Sequence, residues 1–131
     1  MNRLLTTLLL AALVPLASCS SVSVENGPLS GDARIVGSIS GVEMEEAVVR
    51  FDDSDLAVYQ VMLNNKNGDQ TWIEYRAHWF DEGGIEVKNP TRVWKKVLLQ
   101  GGARQAVRSI APSMKAVECF MEFREPVSSA R

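Results

Sequence analysis

The chain has 131 residues, of which 46% are apolar and 23% are charged. This composition is typical of a globular protein and excludes a disordered or collagen-like chain. It contains 14 lysines and arginines against 16 aspartates and glutamates, for a net charge of −2. That balance excludes the strongly basic surface of a nucleic-acid-binding protein, and the length fits one domain.

The N-terminal segment has the pattern of a secretory signal peptide. A positive charge at Arg3 is followed by an apolar run from Leu4 to Ala17. The run is too short for a membrane-spanning helix, which needs about 20 apolar residues. We therefore predict that residues 1–18 are a targeting segment that is removed from the mature protein.

The residues that end the apolar run, Leu16-Ala17-Ser18-Cys19, resemble the lipobox of bacterial lipoproteins. The resemblance implies cleavage before Cys19, a diacylglyceryl group on its thiol and further acyl chains such as palmitate, which together give stable membrane anchoring. It also implies sorting to the outer membrane, because Ser20 and not aspartate follows the cysteine. The alternative is an ordinary cleavage site that happens to precede a cysteine.

The chain has two cysteines, so acylation of Cys19 leaves Cys119 without an intrachain disulfide partner. Cys119 alternates with Met121 and Phe123 on one side of a predicted strand. This position favours a buried structural cysteine, because free cysteine packs as a small apolar residue. A reactive thiol or an intermolecular crosslink is the alternative.

Residues 19–33 are predicted to be the lipidated cysteine followed by a flexible tether. The segment is small and polar, with Asn26-Gly27-Pro28 and Ser30-Gly31 as breakers, and such a composition buries little surface. We expect the folded domain to occupy residues 34–125 and a C-terminal tail to occupy residues 126–131.

Within the domain, apolar and polar residues alternate with the period of a β-strand. The clearest strand is 71–80, in which Ile73, Tyr75, Ala77 and Trp79 share the predicted core face. The full set of predicted strands is 34–39, 46–51, 58–64, 71–80, 85–87, 93–99, 103–110 and 116–124. The pattern predicts an all-β, immunoglobulin-like sandwich of about seven or eight short antiparallel strands.

Several of these segments resemble the YcfL-like family of small bacterial lipoproteins, a domain of unknown function. The similar residues are Tyr75 to Asp81, Gly84 to Val87, Trp94 and Ile110-Ala111-Pro112. The resemblance implies an immunoglobulin-like sandwich attached to the outer membrane. Some members lie next to a lipoprotein that activates peptidoglycan synthases, so an envelope protein or peptidoglycan is the implied partner. The family supplies no catalytic residue.

The sequence offers few residues for catalysis. His78 is the only histidine, and a serine or cysteine hydrolase needs a base beside its nucleophile. Asp52-Asp53-Ser54-Asp55 could bind calcium through its clustered oxygens, but it lacks the glycine and the terminal glutamate of an EF-hand. A solvated turn is the preferred interpretation. We expect no catalytic residue, no metal, no cofactor and no enzymatic activity.

A candidate contact surface lies on the face of strand 71–80 opposite the predicted core. Its residues are Trp72, Arg76, His78 and Phe80. They form either an exposed aromatic stripe that binds a sugar or a protein, or a face that packs beneath a loop or edge strand. A small basic patch around Trp94, interpreted as a solvated strand face or a contact for anionic groups, consists of Arg92, Lys95 and Lys96.

These features predict a lipoprotein anchored in the outer membrane through Cys19, with its domain facing the periplasm. The expected role is a non-catalytic binding or accessory module in the cell envelope. Besides the membrane, an envelope protein or peptidoglycan is the expected partner, and nucleic acid is not. The competing hypotheses are a structural or assembly subunit of an envelope complex and a cell-wall hydrolase.

Overall fold

The computed structural model describes residues 20–90 and 92–127. The predicted signal peptide, Cys19 and residues 128–131 of the predicted tail lie outside this range. Within it, no helix is long and apolar enough to cross a membrane. The strands are β1 (Ser21–Asn26), β2 (Leu29–Ile35), β3 (Val42–Phe51), β4 (Ala57–Asn65), β5 (Thr71–Phe80), β6 (Lys95–Leu99), β7 (Arg104–Ile110) and β8 (Glu118–Arg124).

The strands form two sheets that pack face to face. One sheet has five strands in the order β1-β2-β8-β5-β6, and the other has three in the order β3-β4-β7. The core between them contains the fully buried side chains of Tyr59, Trp79 and Phe123. The predicted all-β sandwich is confirmed.

One strand pair differs from the antiparallel arrangement expected from the sequence. Strands β2 and β8 pair in parallel, with Arg34 opposite Glu122 and Ile35 opposite Phe123. A parallel pair needs a long connection between its strands. Here the remainder of the domain, from β3 to β7, is that connection, so the first hairpin is joined to the last strand.

The prediction of a flexible tether is wrong for the described residues, because 21–35 form the β1–β2 hairpin. The apolar residues are few but correctly spaced, and Leu29 and Ala33 are completely buried. The breaker Asn26-Gly27-Pro28 is the hairpin turn, in which Gly27 has a φ of 61°. Asn26 pairs with Leu29, so Gly27 is the first central residue of a two-residue turn, a position that favours glycine. The folded domain therefore includes β1 and does not begin at residue 34.

The predicted strand at 85–87 is also wrong. This segment makes a single β-bridge, between Glu86 and Phe80, and the Val87 amide donates to the Trp79 carbonyl. Ile85 is exposed, so the segment has only one apolar side chain packed against the core, Val87. Without a second apolar anchor, the connection between β5 and β6 remains irregular.

The predicted core face of β5 is confirmed. Ile73, Ala77 and Trp79 are buried, and Tyr75 is half-buried at the edge of the core. The indole Nε1 of Trp79 donates to Oγ of Ser109 on β7 at 2.9 Å. Because these residues belong to different sheets, this buried hydrogen bond connects the two layers of the sandwich.

Tyr59 links the β1–β2 hairpin to the opposite sheet. Its ring lies so close to the backbone at Gly31 that a Cβ atom there would overlap ring carbons. Only glycine at this position allows the aromatic ring to reach β2. This close contact between Tyr59 and Gly31 explains how a segment with few apolar residues is held in the domain.

Candidate contact surface

The outer face of the five-stranded sheet brings together the polar side chains of β5 and β8. Residues of a strand alternate between faces, and the pairing places Arg76 opposite Glu122 and Glu74 opposite Arg124. The connection between β5 and β6 adds two further side chains. We call the whole set the charged face; it consists of Glu74, Arg76, His78, Glu86, Trp94, Phe120, Glu122 and Arg124.

Glu122 lies at the centre of the charged face. Its Oε2 atom accepts a hydrogen bond from Arg76 Nε at 2.6 Å and another from His78 Nε2 at 3.0 Å. The carboxylate side chain is only 15% exposed. Burial raises the pKa of Glu122, but the hydrogen bonds and positive charges of Arg76 and His78 outweigh burial and hold the pKa of that carboxyl below its ordinary range.

His78 lies between two carboxylates. Its Nε2 atom contacts Glu122, and its Nδ1 atom lies 3.0 Å from Oε1 of Glu86. Only the doubly protonated ring can donate at both nitrogens. Arg92 also reaches Glu86, at 3.2 Å, so that carboxylate contacts both His78 and Arg92.

Trp94 contacts two arginines of the charged face. The guanidinium carbons of Arg124 and Arg76 are 3.7 Å and 4.4 Å from the centre of its ring system. Arg124 in turn donates to Glu74 at 2.8 Å. Each arginine therefore contacts the aromatic ring while its charge is balanced by a carboxylate, which restricts the rotamers of all three side chains.

The charged face continues toward β2 through Phe120. The Arg34 guanidinium lies 4.5 Å from the centre of the Phe120 ring, and the His78 ring lies 6.0 Å away on the other side. An arginine, a phenylalanine and a histidine thus follow one another across β2, β8 and β5.

The structure separates the four residues predicted as one contact surface. Arg76 and His78 belong to the charged face, whereas Phe80 is half-buried at the end of β5. Trp72 is 52% exposed and lies near the opposite end of the strand. The basic patch is divided as well: Arg92 pairs with Glu86, while Lys95 and Lys96 are exposed on β6.

Five members of the charged face were not among the predicted contact residues: Glu74, Glu86, Phe120, Glu122 and Arg124. The alternation of Cys119, Met121 and Phe123 placed Glu122 and Arg124 on the outer face of β8. That local pattern could not show that β8 lies beside β5. The contact of His78 with Glu86 depends on the irregular connection after β5, for which no sequence signal was found.

Cys119 is completely buried, which confirms its interpretation as a core residue. Burial raises the pKa of its thiol, so the thiolate is disfavoured. Asp52 Oδ1 accepts hydrogen bonds from the amides of Ser54 and Leu56, as in a turn closed by its own side chain. Among residues 20–90 and 92–127, no cluster of three or more histidine, cysteine or acidic residues could hold a metal ion.

Comparisons with known proteins point to one family. Residues 37–125 match the family model described as a protein of unknown function, DUF1425. The structure is similar to a DUF1425 family member from Shewanella sp. pv-4, with a TM-score of 0.59 and 21% identity over 82% of this chain and 90% of that chain. It is also similar to Campylobacter jejuni cj0090, with a TM-score of 0.63 and 13% identity over 72% of this chain and 97% of that chain. No curated protein matches the chain.

Proposed function

The chain belongs to the DUF1425 family, and from this premise we propose that it is a YcfL-like lipoprotein that acts as a binding or accessory module in the cell envelope. In this proposal Cys19 carries the lipid, the outer membrane holds the anchor and the sandwich faces the periplasm. The sequence Leu16-Ala17-Ser18-Cys19 directly after an apolar run supports the anchor. Ser20 after the cysteine supports the outer membrane.

The charged face is the feature that supports the binding role. Arginine and aromatic side chains are enriched where proteins contact partners. Here Trp94 contacts Arg76 and Arg124, whose charges are balanced by Glu122 and Glu74. A surface with restricted rotamers loses little conformational entropy when it binds. Anchoring near the membrane raises its effective concentration for partners there.

The anchor is tested by the intact mass and membrane fractionation of the natural protein. We expect a mature chain that begins at Cys19, carries acyl chains and sediments with outer-membrane markers. Cys19→Ser is the matched control, because it removes the thiol and leaves the described sandwich unchanged. An unacylated, freely soluble natural protein, or one that sediments with the inner membrane, would contradict the proposal.

The contact surface is tested by photo-crosslinking in intact cells. A photoreactive residue replaces Lys96, which is exposed and paired with Glu74 in the sheet. The control replaces Val48, which is 44% exposed on the outer face of the other sheet. We expect an envelope protein or glycan adduct at position 96 and none at position 48. A second copy of the chain at position 96 would instead support a structural subunit, and equal labelling at both positions would reject the surface.

A further inference from the structure

The ordered sheet begins immediately after residue 19. The Ser20 carbonyl accepts a hydrogen bond from the Ile35 amide at 2.9 Å, and β1 begins at Ser21. Consecutive Cα atoms are about 3.8 Å apart. If Cys19 is acylated, as proposed above, a single peptide bond joins the anchor to a residue that is already fixed in the sandwich.

The strand register shows which end of the domain faces the anchor. Ser21 lies opposite Arg34, Arg34 opposite Glu122, and Glu122 opposite Arg76. These four residues therefore lie in one row across the sheet. The chain from Ser21 back toward residue 19 runs in the same direction as β5 from Arg76 back toward Trp72.

Trp72 lies farther in that direction than two residues of chain can reach from Ser21. It lies four residues from Arg76, which is about 14 Å along a strand, whereas two residues of extended chain span at most about 7 Å. A bilayer that holds the lipid on residue 19 therefore meets the end of the sandwich that carries Trp72. We call this the anchor end; it consists of Trp72, residues 125–127 and the connections 36–41, 66–70 and 100–103.

The composition of the anchor end matches a lipid surface. Its exposed apolar side chains include Trp72, 52% exposed, Val36, 46% exposed, and Val127, 63% exposed. The anchor end contains three charged residues, Lys66, Asp69 and Glu125, and Lys66 is paired with Glu43 at 2.9 Å. Few charges must therefore lose water when this end approaches the headgroups.

The opposite end of the sandwich has a different charge. Its connections, at 27–28, 52–56, 81–94 and 111–117, contain six acidic and three basic residues, for a net charge of −3 against −1 at the anchor end. Acidic side chains are repelled by anionic lipids. The charge distribution therefore favours the same orientation as the short link to the anchor.

We propose that the anchor end rests on the lipid bilayer, with the Trp72 indole in the interfacial region of the membrane. Tryptophan is enriched at membrane interfaces, because its ring is apolar and its N–H remains able to donate. The inference rests on the proposed acylation of Cys19. It assigns Trp72 to the membrane and leaves the charged face, higher on the same sheet, accessible from the periplasm.

The test measures tryptophan fluorescence of the acylated full-length protein in vesicles of phosphatidylethanolamine and phosphatidylglycerol. Brominated acyl chains quench the fluorescence of tryptophans that lie close to them. We expect quenching of the natural protein and loss of most of that quenching in Trp72→Phe. Trp94→Phe is the matched control and should retain the quenching, because Trp94 lies on the charged face. Trp79 is buried in the core.

Two results separate this inference from the proposed anchor. Absence of acyl chains in the intact mass would reject the anchor, and the inference with it. Acylated protein that binds vesicles but shows no quenching, or equal quenching in Trp72→Phe and Trp94→Phe, would reject the inference alone. Circular dichroism of each variant verifies that its sandwich is folded.

Discussion

The two faces of strand β5 are stabilised in different ways. On the inner face, Ile73, Ala77 and Trp79 are buried against the second sheet, so apolar contact determines their positions. On the outer face, Arg76 and His78 are held by hydrogen bonds to Glu122, and Trp72 at the anchor end is largely exposed. The comparison shows that one strand can support packing, charge pairing and a free aromatic side chain at successive positions.

The largest expected effect is on the inner face. Trp79→Ala removes a completely buried indole and its hydrogen bond to Ser109. We expect the free energy of unfolding to fall by about 3–5 kcal/mol, measured by urea denaturation of the unacylated domain. A loss below about 1 kcal/mol would show that the two sheets are not held together by this residue.

Glu122→Gln tests the charge pairing on the outer face. The substitution leaves Arg76 and His78 without their shared carboxylate. We therefore expect the free energy of unfolding to fall by about 1–3 kcal/mol. Glu43→Gln is the matched control, because the Lys66–Glu43 pair is exposed and such pairs contribute about 0–1 kcal/mol. Equal losses of unfolding free energy in the two variants would mean that the ion pairs of Glu122 stabilise the protein no more than an exposed pair does.

The same substitution tests how the stability of the protein depends on pH. Because the pKa of Glu122 is lower in the folded protein than its ordinary value, its contribution is fully present above about pH 4.3, the ordinary pKa of glutamate. It is lost as the pH falls through the folded pKa. The difference in unfolding free energy between the natural protein and Glu122→Gln should therefore shrink between neutral pH and pH 3, in a series of denaturant titrations. A constant difference would contradict the stabilising role of the ionised carboxylate.

The smallest effect on stability is expected at Trp72. Its side chain is 52% exposed, so Trp72→Ala should change the free energy of unfolding by less than about 0.5 kcal/mol. A fluorescence-independent probe such as far-UV circular dichroism should follow this unfolding, since the substitution removes a fluorophore. A large loss would place Trp72 among the structural residues and weaken its assignment to the membrane surface.

The sequence was informative where the signal was local. Alternation along β5 correctly separated Trp79 from Arg76, and alternation along β8 placed Cys119 in the core. The same reasoning failed at Asn26-Gly27, where a hairpin turn was interpreted as part of a tether. The apolar residues of β1 and β2 are too few to predict strands without their neighbours, Tyr59 and β8, which are distant in the chain.

Charge pairing could not be predicted from the sequence, because its partners are distant along the chain. His78 and Glu122 are 44 positions apart, and Arg76 and Glu122 are 46 apart. Both contacts depend on β8 being the neighbour of β5. The order of strands in a sheet is decided by the packing of all strands together, and no single segment contains that information.

The sequence alone determined the apolar run from Leu4 to Ala17, the period of two that predicts strands, and the assignment of core residues along β5. The tertiary structure alone decided that residues 21–35 form a hairpin, that β2 pairs with β8 and that Glu122 contacts His78. Alternation and signal-peptide patterns arise from neighbouring residues, whereas strand order and charge pairing arise when distant segments are brought together in the folded sandwich.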